Sequence, residues 1–402
     1  MLEYHRLGSD YSRLNTIEKL IPSGGETMTF ISDVNEIHNP ISETESFNPK
    51  SIYQKHRFWI KLFNAIEILG CEAYINGLEL PDSVIKSILD FSIPVCYQRF
   101  PFLLVPYEWL LHESEELAES SQELMEIQYN LPKELFKVML GEDKILYPKY
   151  TMALWEKGAK NLEQAQIDKI EDVIEKAQIQ DGDEILDLGC GFGSASHYIL
   201  AKFPNCKVTA LNLSKEHCDY MRQKMQEPES YFKPDRFTIC EENFNNANFT
   251  QKFDKIIAIG LFEHIGNFSE SLKKVSSFLK PEGKLFIHII SSKLPHTIMI
   301  LFLEKYIFPR ARGWSYHQVP PTNSEFVTLD KWFINGLNYA KTLTKWLDNF
   351  DHNQEYLKTL NYGMIYAKFR RMWRLYLLWC IALFTACDGE VLGNAQYLMV
   401  KS

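Results

Sequence analysis

No cysteine pair in this chain has the spacing of a metal knuckle or a redox motif. The eight cysteines stand apart at 71, 96, 190, 206, 218, 240, 380 and 387, which excludes a CxxC zinc framework and leaves no metal expected. An excess of positive charge is missing too. With 43 Lys and Arg against 52 Asp and Glu, the net charge is −9, which argues against nucleic acid as the partner. The longest apolar run, LYLLWCIALFTAC at 375–387, is too short to span a bilayer and reads as a core helix. The opening MLEYHRLGSDYSRLN lacks a charged-then-apolar leader pattern. Together these absences predict a soluble, cytoplasmic protein. What is present is a chain of 402 residues, 46% hydrophobic and 24% charged, long enough to bury a large core in about two or three domains.

Residues 1–55 are polar and turn-rich, without a sustained period, and predict a loosely ordered segment. Residues 56–145 read as a helical region built from RFWIKLFNAIEIL, PDSVIKSILDF and LLVPYEWLLHESEELAESSQELMEI. The glutamates between Glu113 and Glu126 read as a solvated helix face. After 180 the pattern alternates: EILDLG, SASHYILAKF, KVTALNL, SKEHCDYMRQKMQ, FTICEE, KIIAIG, FSESLKKVSSFL, KLFIHII. Such alternation predicts an α/β domain over 146–402, Rossmann-like, with a mostly parallel sheet and helices on both faces. Within it, residues 291–345 are hydrophobic, aromatic and proline-punctuated, and read as an insertion suited to covering a site. A helix around FRRMWRLYLLWCIALF and a strand AQYLMVK close the chain. In that helix Trp373, Tyr376 and Trp379 read as core. Lys368, Arg370, Arg371 and Arg374 read as a solvated basic face, with contact to a membrane surface as the alternative.

The most informative stretch is EILDLGCGFGSASHYILAKF at 184–203, a buried strand, a glycine turn and a helix start. Gly189, Gly191 and Gly193 allow a tight turn and close approach of a ligand. Asp187, just ahead of the turn, decides the ligand. A pyrophosphate would be repelled by it, whereas S-adenosylmethionine offers an ammonium group. The spacing is GxGxG, and no acidic residue ends the next strand to hold an NAD ribose. On a sheet of this kind ligands sit at the carboxyl ends of the strands. That edge gathers Asp187, Asn212, Glu242, Asn243, Phe244, Glu263, His264 and His288.

These motifs carry a family resemblance. The chain resembles the superfamily that joins cyclopropane fatty acid synthases with coclaurine N-methyltransferases, both S-adenosylmethionine enzymes. YTMALWEKGAKNLEQAQ (150–166) is similar to the family's YSCxYW…NLExAQ segment, EILDLGCGFGS to its cofactor motif, and IGLFEHIGNF (259–268) to its FEH loop. KLFIHIISSK (284–293), KYIFP (305–309), NGLNY (335–339) and the lead-in MEIQYNLPKELFKVMLG (125–141) match as well. The resemblance implies that Tyr150 and Thr151 close over the methionine end of the cofactor. Leu213 and Glu242 to Phe244 would surround the adenosine, with Asn243 near the adenine where an aspartate is common and His217 where a glutamine is common. The chain departs at Met152, where the family usually has cysteine, and at Gly260, where an amine methylase carries a glutamate.

The branch within the family leaves two chemistries open. An amine nucleophile must arrive neutral, so a carboxylate or imidazole that accepts its proton is useful; Glu263 and His264 fit that role. An alkene nucleophile yields a carbocation that must lose a proton. The resemblance to the lipid enzymes implies a bicarbonate for that step, held by Glu263, His288 and Tyr339. Without the resemblance, His288 in an apolar strand reads as a core histidine and Tyr339 as a packing aromatic. The helical layout, WLDNFDHN and the GEVLGNAQYLMVK ending look like the coclaurine branch. Methyl transfer to a small amine is therefore the expected function, with methylation of a lipid acyl-chain alkene as the alternative. A non-catalytic cofactor-binding scaffold, motivated by Met152, Asn243 and Gly260, is the further one.

Overall fold

The computed structural model describes residues 49–99, 104–106, 116–118, 121–129, 131–294, 296–298, 300–311, 313–320 and 324–402. The chain opens with helices α1 (Pro49–Ile75) and α2 (Asp82–Arg99) and a short strand β1 (Leu104–Pro106). Helix α3 (Ser121–Leu124) runs into a π turn at Met125–Tyr129, followed by α4 (Lys133–Leu140) and α5 (Leu162–Lys176). Strands and helices then alternate through β2 (Glu184–Leu188), α6 (Ser194–Lys202), β3 (Lys207–Asn212), α7 (Lys215–Lys224) and β4 (Phe237–Glu241). Next come β5 (Phe253–Ile259), α8 (Phe268–Phe278) and β6 (Leu279–Ser292). The remainder holds β7 (His296–Ile298), α9 (Leu301–Tyr306), β8 (Trp314–Ser315) and β9 (Phe326–Ile334). It ends with α10 (Leu337–His352), α11 (Gln354–Leu357), α12 (Tyr366–Thr385) and β10 (Leu392–Lys401).

The central sheet has the order β4-β3-β2-β5-β6-β10-β9, with β8 beside β6. Strands β2 to β6 are parallel; β10 runs antiparallel between β6 and β9. This is the mixed α/β, Rossmann-like arrangement read from the alternation of elements. The middles of the central strands are mostly apolar because both faces are covered. Ile185, Ile257 and Phe286 join the core on one side, while their neighbours Leu186, Ile256, Ala258, Leu285 and Ile287 join the core on the other. Helix starts follow from capping. Asn161, Ser214 and Asn267 each accept an amide of the first turn of α5, α7 and α8, from Gln164, His217 and Glu270.

Several boundaries differ from the sequence reading. Helix α1 begins at Pro49, inside the stretch expected to be loosely ordered; residues 1–48 lie outside the described residues. Leu104–Pro106, within an expected helical run, is a strand paired with β7. Of the glutamate-rich helix expected near 113–126, residues 113–115, 119 and 120 lie outside the described residues, and α3 starts only at Ser121. The stretch 291–345 is not one insertion. Its last third is the sheet's edge strand β9, paired along β10, followed by the first half of α10. The hydrophobic pattern of β9 and α10 serves the sheet, which is why pattern alone could not separate them from a covering loop.

The expected solvated basic face on α12 is corrected for its three arginines, while Lys368 is exposed as expected. Arg374 is buried and pairs with both Asp351 and Asp82. Arg370 pairs with Asp351 at 3.0 Å, and Arg371 Nε donates to the Ile75 carbonyl at 2.9 Å. These guanidinium groups tie α12 to α10, α2 and the end of α1, so their charge is spent inside the fold. No helix among the described residues is long and apolar enough to cross a membrane.

Gly336, at the start of α10, shows how tightly this end is packed. Its amide donates to the Gly389 carbonyl at 2.9 Å. A Cβ there would run into the backbone carbonyls of Leu392 and Phe384, which cannot move without shifting β10 or α12. Gly336→Ala is expected to destabilise the protein by roughly 3 kcal/mol, measured by urea unfolding. A loss below about 1 kcal/mol would contradict that packing.

Candidate active site

Strand β2 carries Asp187 and leads into the glycine turn. Gly189, Gly191 and Gly193 have φ of 73°, 57° and 77°, a left-handed conformation that favours glycine at each position. The turn is pinned from β3. The amides of Gly189 and Cys190 donate to the Leu211 carbonyl at 3.0 and 3.2 Å, and Asn212 Nδ2 donates to the Gly191 carbonyl at 2.8 Å. Asp187 is buried, with Oδ2 accepting from Ser196 Oγ at 2.6 Å. Burial pushes its carboxyl up to about 6, against the pull of that hydrogen bond. The glycines differ in role. A Cβ on Gly193 would collide with Phe232 and Met221, whereas a Cβ on Gly191 would stand in open space with nothing within 4 Å.

That open space is a cavity of about 90 Å³. Its walls are Asp187, residues 189–192, Ser194 and Ala195 of the loop and α6, with residues 148–151 ahead of α5. Lys169, Ile170 and Val173 of α5, His217 of α7, Tyr129, and Ile259 and Gly260 at the end of β5 complete them. Of the residues expected to hold a cofactor, Tyr150, Thr151, Asp187, Gly189, Gly191 and His217 therefore meet at one cavity. Gly193 does not line it, because it packs α6 onto Phe232 and Met221. Asn212 sits behind the loop and supports it. Leu213 follows β3 at the same sheet edge, also outside the walls. Glu242 and Asn243 close their own turn, Glu242 Oε1 accepting from the Asn243 amide at 2.7 Å and Asn243 Oδ1 from the Asn245 amide at 2.9 Å. Phe244 is buried with the Lys274 ammonium 5.5 Å from its ring.

Tyr150 is locked from two sides. Its hydroxyl receives Gln128 Nε2 at 2.5 Å and bonds the Tyr376 hydroxyl at 2.8 Å, and its ring stacks on Trp346 at 5.3 Å. Tyr376 is thus core and support at once. Lys149 Nζ spends its donors on the Thr151 carbonyl and Oγ1, both at 3.0 Å, and on the Met152 carbonyl at 2.8 Å. Met152 itself is fully buried beside Leu154 and Ile334. His217 packs on Phe192 at 4.0 Å between ring centroids, and burial holds its imidazole down to about 3, neutral.

A second group of side chains lies beyond Tyr129. The 3₁₀ turn Phe262–His264 after β5 carries Glu263 and His264. Glu263 Oε1 accepts the Ile290 amide at 2.8 Å, while the buried Oε2 has no partner among the described residues. Burial pushes this carboxyl up to about 7. His264 Nε2 is 3.3 Å from the Tyr129 hydroxyl, and burial holds the ring down to about 4, so it is neutral. His288, on β6, has both ring nitrogens buried without a partner among the described residues and is held neutral by burial and by Lys169, Lys149 and Lys176. Tyr339, on α10, packs against Phe384 at 4.4 Å; burial, Cys380 and Glu263 hold its phenol well above its ordinary range. None of these four lines the cavity. Tyr129 joins the two groups, since it lines the cavity and touches His264.

Tyr129, Lys149, Lys169, Ser194 and Gly260 were not among the expected site residues. Lys169 left a signal: with Ala165, Asp172 and Val173 it falls on the buried stripe of α5, where a charge is out of place. Tyr129 left none, because a π turn brings it in from before the sheet domain.

Comparison with known proteins agrees with this architecture. Residues 117–392 match the family described as mycolic acid cyclopropane synthetase. The cyclopropane-fatty-acyl-phospholipid synthase of Escherichia coli (strain K12) is 30% identical over 265 residues, 65% of this chain and 64% of that enzyme. The match thus spans just under two thirds of that relative's length. The (S)-coclaurine N-methyltransferase of Papaver somniferum is 27% identical over 274 residues, 65% of this chain and 76% of that protein. Among solved structures, coclaurine N-methyltransferase bound to N-methylheliamine and SAH has a TM-score of 0.72 at 23% identity, covering 83% of this chain and 99% of that one. The cyclopropane synthase MmaA2 of Mycobacterium tuberculosis gives 0.61 at 22% identity, covering 71% and 99%. By sequence and by fold, the chain belongs to the mycolic acid cyclopropane synthetase family, with the Rossmann-like fold of the class I methyltransferases.

Proposed function

We propose that this protein binds S-adenosylmethionine and transfers its methyl group to an amine. The observation that carries the reading is the continuity, through Tyr129, between the glycine-loop cavity and the buried acceptors Glu263 and His264. The walls suit the cofactor. Gly191 leaves room where any side chain would intrude, and Asp187 offers a buried carboxylate. Asp187, Gly189, Gly191, Tyr150 and Thr151 would hold the amino-acid end, with His217 beside it. Leu213 and the segment from Glu242 to Phe244, at the same sheet edge, would border the adenosine. When bound, the cofactor supplies an electrophilic methyl group on sulfur.

The chain's own work is then to position the amine, exclude water and take its proton. The ring of Tyr150, fixed by Gln128, Tyr376 and Trp346, excludes water on one side. Glu263 Oε2, without a partner among the described residues, accepts the proton, and neutral His264 with Tyr129 can relay it. A second reading, methylation of an acyl-chain alkene with bicarbonate as base, is favoured by His288, whose buried ring nitrogens have no partner among the described residues, and by Tyr339, which lies within electrostatic range of Glu263. The curated relatives divide in the same way, between a fatty-acyl-phospholipid synthase and a coclaurine N-methyltransferase. The free thiols of all eight cysteines suit a reducing, cytoplasmic setting.

Calorimetric titration is expected to show binding of S-adenosylhomocysteine, weakened at least about 30-fold in Gly191→Val, where strain and bulk meet in the cavity. Methylation of an amine panel, followed by label transfer, is expected to lose its rate below about pH 7, because the Glu263 carboxyl must be ionised to act as base. Glu263→Gln should abolish that acid limb and lower the rate by about 10²- to 10⁴-fold. Label found in acyl chains instead, and lost on bicarbonate depletion or in Tyr339→Phe, would establish the lipid reading. Binding without turnover across amines and phospholipids would point to a scaffold.

A further inference from the structure

The cavity is lined by an ammonium group that the fold pairs only at long range. Lys169 is 1% exposed, and its Nζ makes no hydrogen bond among the described residues. The nearest carboxylate, Asp172, stands 3.7 Å away and is already engaged by Lys176 at 2.8 Å and Gln396 Nε2 at 2.8 Å. A lysine buried in this state is costly, since desolvation is not offset by full pairing. Its partner must come from the cavity it lines. Ser194, the first residue of α6, lines the same cavity with a buried hydroxyl that also lacks a partner among the described residues. The opening turn of α6 points its free amides toward that end. Asp187, whose carboxylate accepts from Ser196 of the same opening turn, lines the cavity too. The lining thus presents a cation, free donors and an anion, which together match an α-amino acid zwitterion.

We propose that Lys169, aided by Ser194, receives the α-carboxylate of S-adenosylmethionine while Asp187 faces its ammonium group. The assignment rests on the cofactor reading above. Lys149, also buried, is excluded from the role because its donors are spent on Thr151 and Met152. Lys169 is a binding and positioning residue here, with no part in moving the methyl group.

The test is calorimetry with two ligands, S-adenosylhomocysteine and its descarboxy analogue. Wild-type protein should prefer the carboxylated ligand by about 10- to 100-fold, the worth of one charge-assisted hydrogen bond. Lys169→Met should erase that preference by weakening S-adenosylhomocysteine alone, leaving the analogue within about threefold. Equal loss of both ligands, or no loss of either, would overturn the assignment. If wild-type protein binds neither, the cofactor reading fails and the assignment falls with it; binding of both with no preference defeats the assignment alone. Bicarbonate added to the wild-type titration should leave binding unchanged, and competition would mean that Lys169 takes the free anion instead.

A measurement on wild-type protein guards against misfolding of the variant. Burial holds Lys169 down to about 7, with Asp172 opposing and Lys176 and Lys157 adding to it; Lys149 and His288 also face it. The carboxylate needs the charged form. The preference should therefore be full below about pH 7 and decline above it, while a preference independent of pH between about 6 and 8.5 would count against Lys169.

Discussion

The turn after β2 is held by the neighbouring strand, and the rest of the site depends on that anchorage. Two successive amides of the turn share the Leu211 carbonyl, and Asn212 at the end of β3 grips the next glycine by its carbonyl. The left-handed loop is therefore set before any ligand arrives, which limits the ordering cost of binding. The same anchorage aims α6 into the cavity and keeps Asp187 under the turn. Parallel pairing of β2 with both β3 and β5 then brings the 3₁₀ turn of Glu263 and His264 to the same edge.

Burial of ionisable groups along the cavity and beyond Tyr129 is the second constraint. Asp187 and Glu263 are pushed up to about 6 and 7, Lys169, His264 and His217 down to about 7, 4 and 3. In every case desolvation is the leading cause, so each group is driven toward its neutral form. Perturbed groups gathered in a cleft are the pattern of a working site. Arg374 gives the contrast within the same molecule. It is as buried, yet its charge is matched by Asp351 and Asp82, and it joins helices and faces no cavity.

The legible part of this protein was the part fixed by local rules. The glycine spacing and the alternating apolar runs carried the cofactor turn and the sheet, because left-handed backbone and two-faced burial both constrain residue type locally. The reading of Arg374 as solvated failed because an i, i+3 or i+4 run of charges looks the same whether its partners are water or distant aspartates. The reading of 291–345 as a single covering insertion failed over its last third for a related reason. An edge strand and a covering loop share hydrophobic, aromatic composition, and only the pairing of β9 along β10 separates them.

By itself, the sequence determined the α/β order, the turn at Gly189 to Gly193, and the family to which the chain belongs. Only the tertiary structure decided which expected residues meet. It set Gly193 to packing and Asn212 to support, closed Glu242 and Asn243 on their own turn, and inserted Tyr129 between the cavity and His264. The reason is one of range. Backbone conformation and face periodicity act within a few residues, whereas this cavity's wall is assembled from segments as far apart as Tyr129 and Gly260, and their meeting is fixed by packing alone.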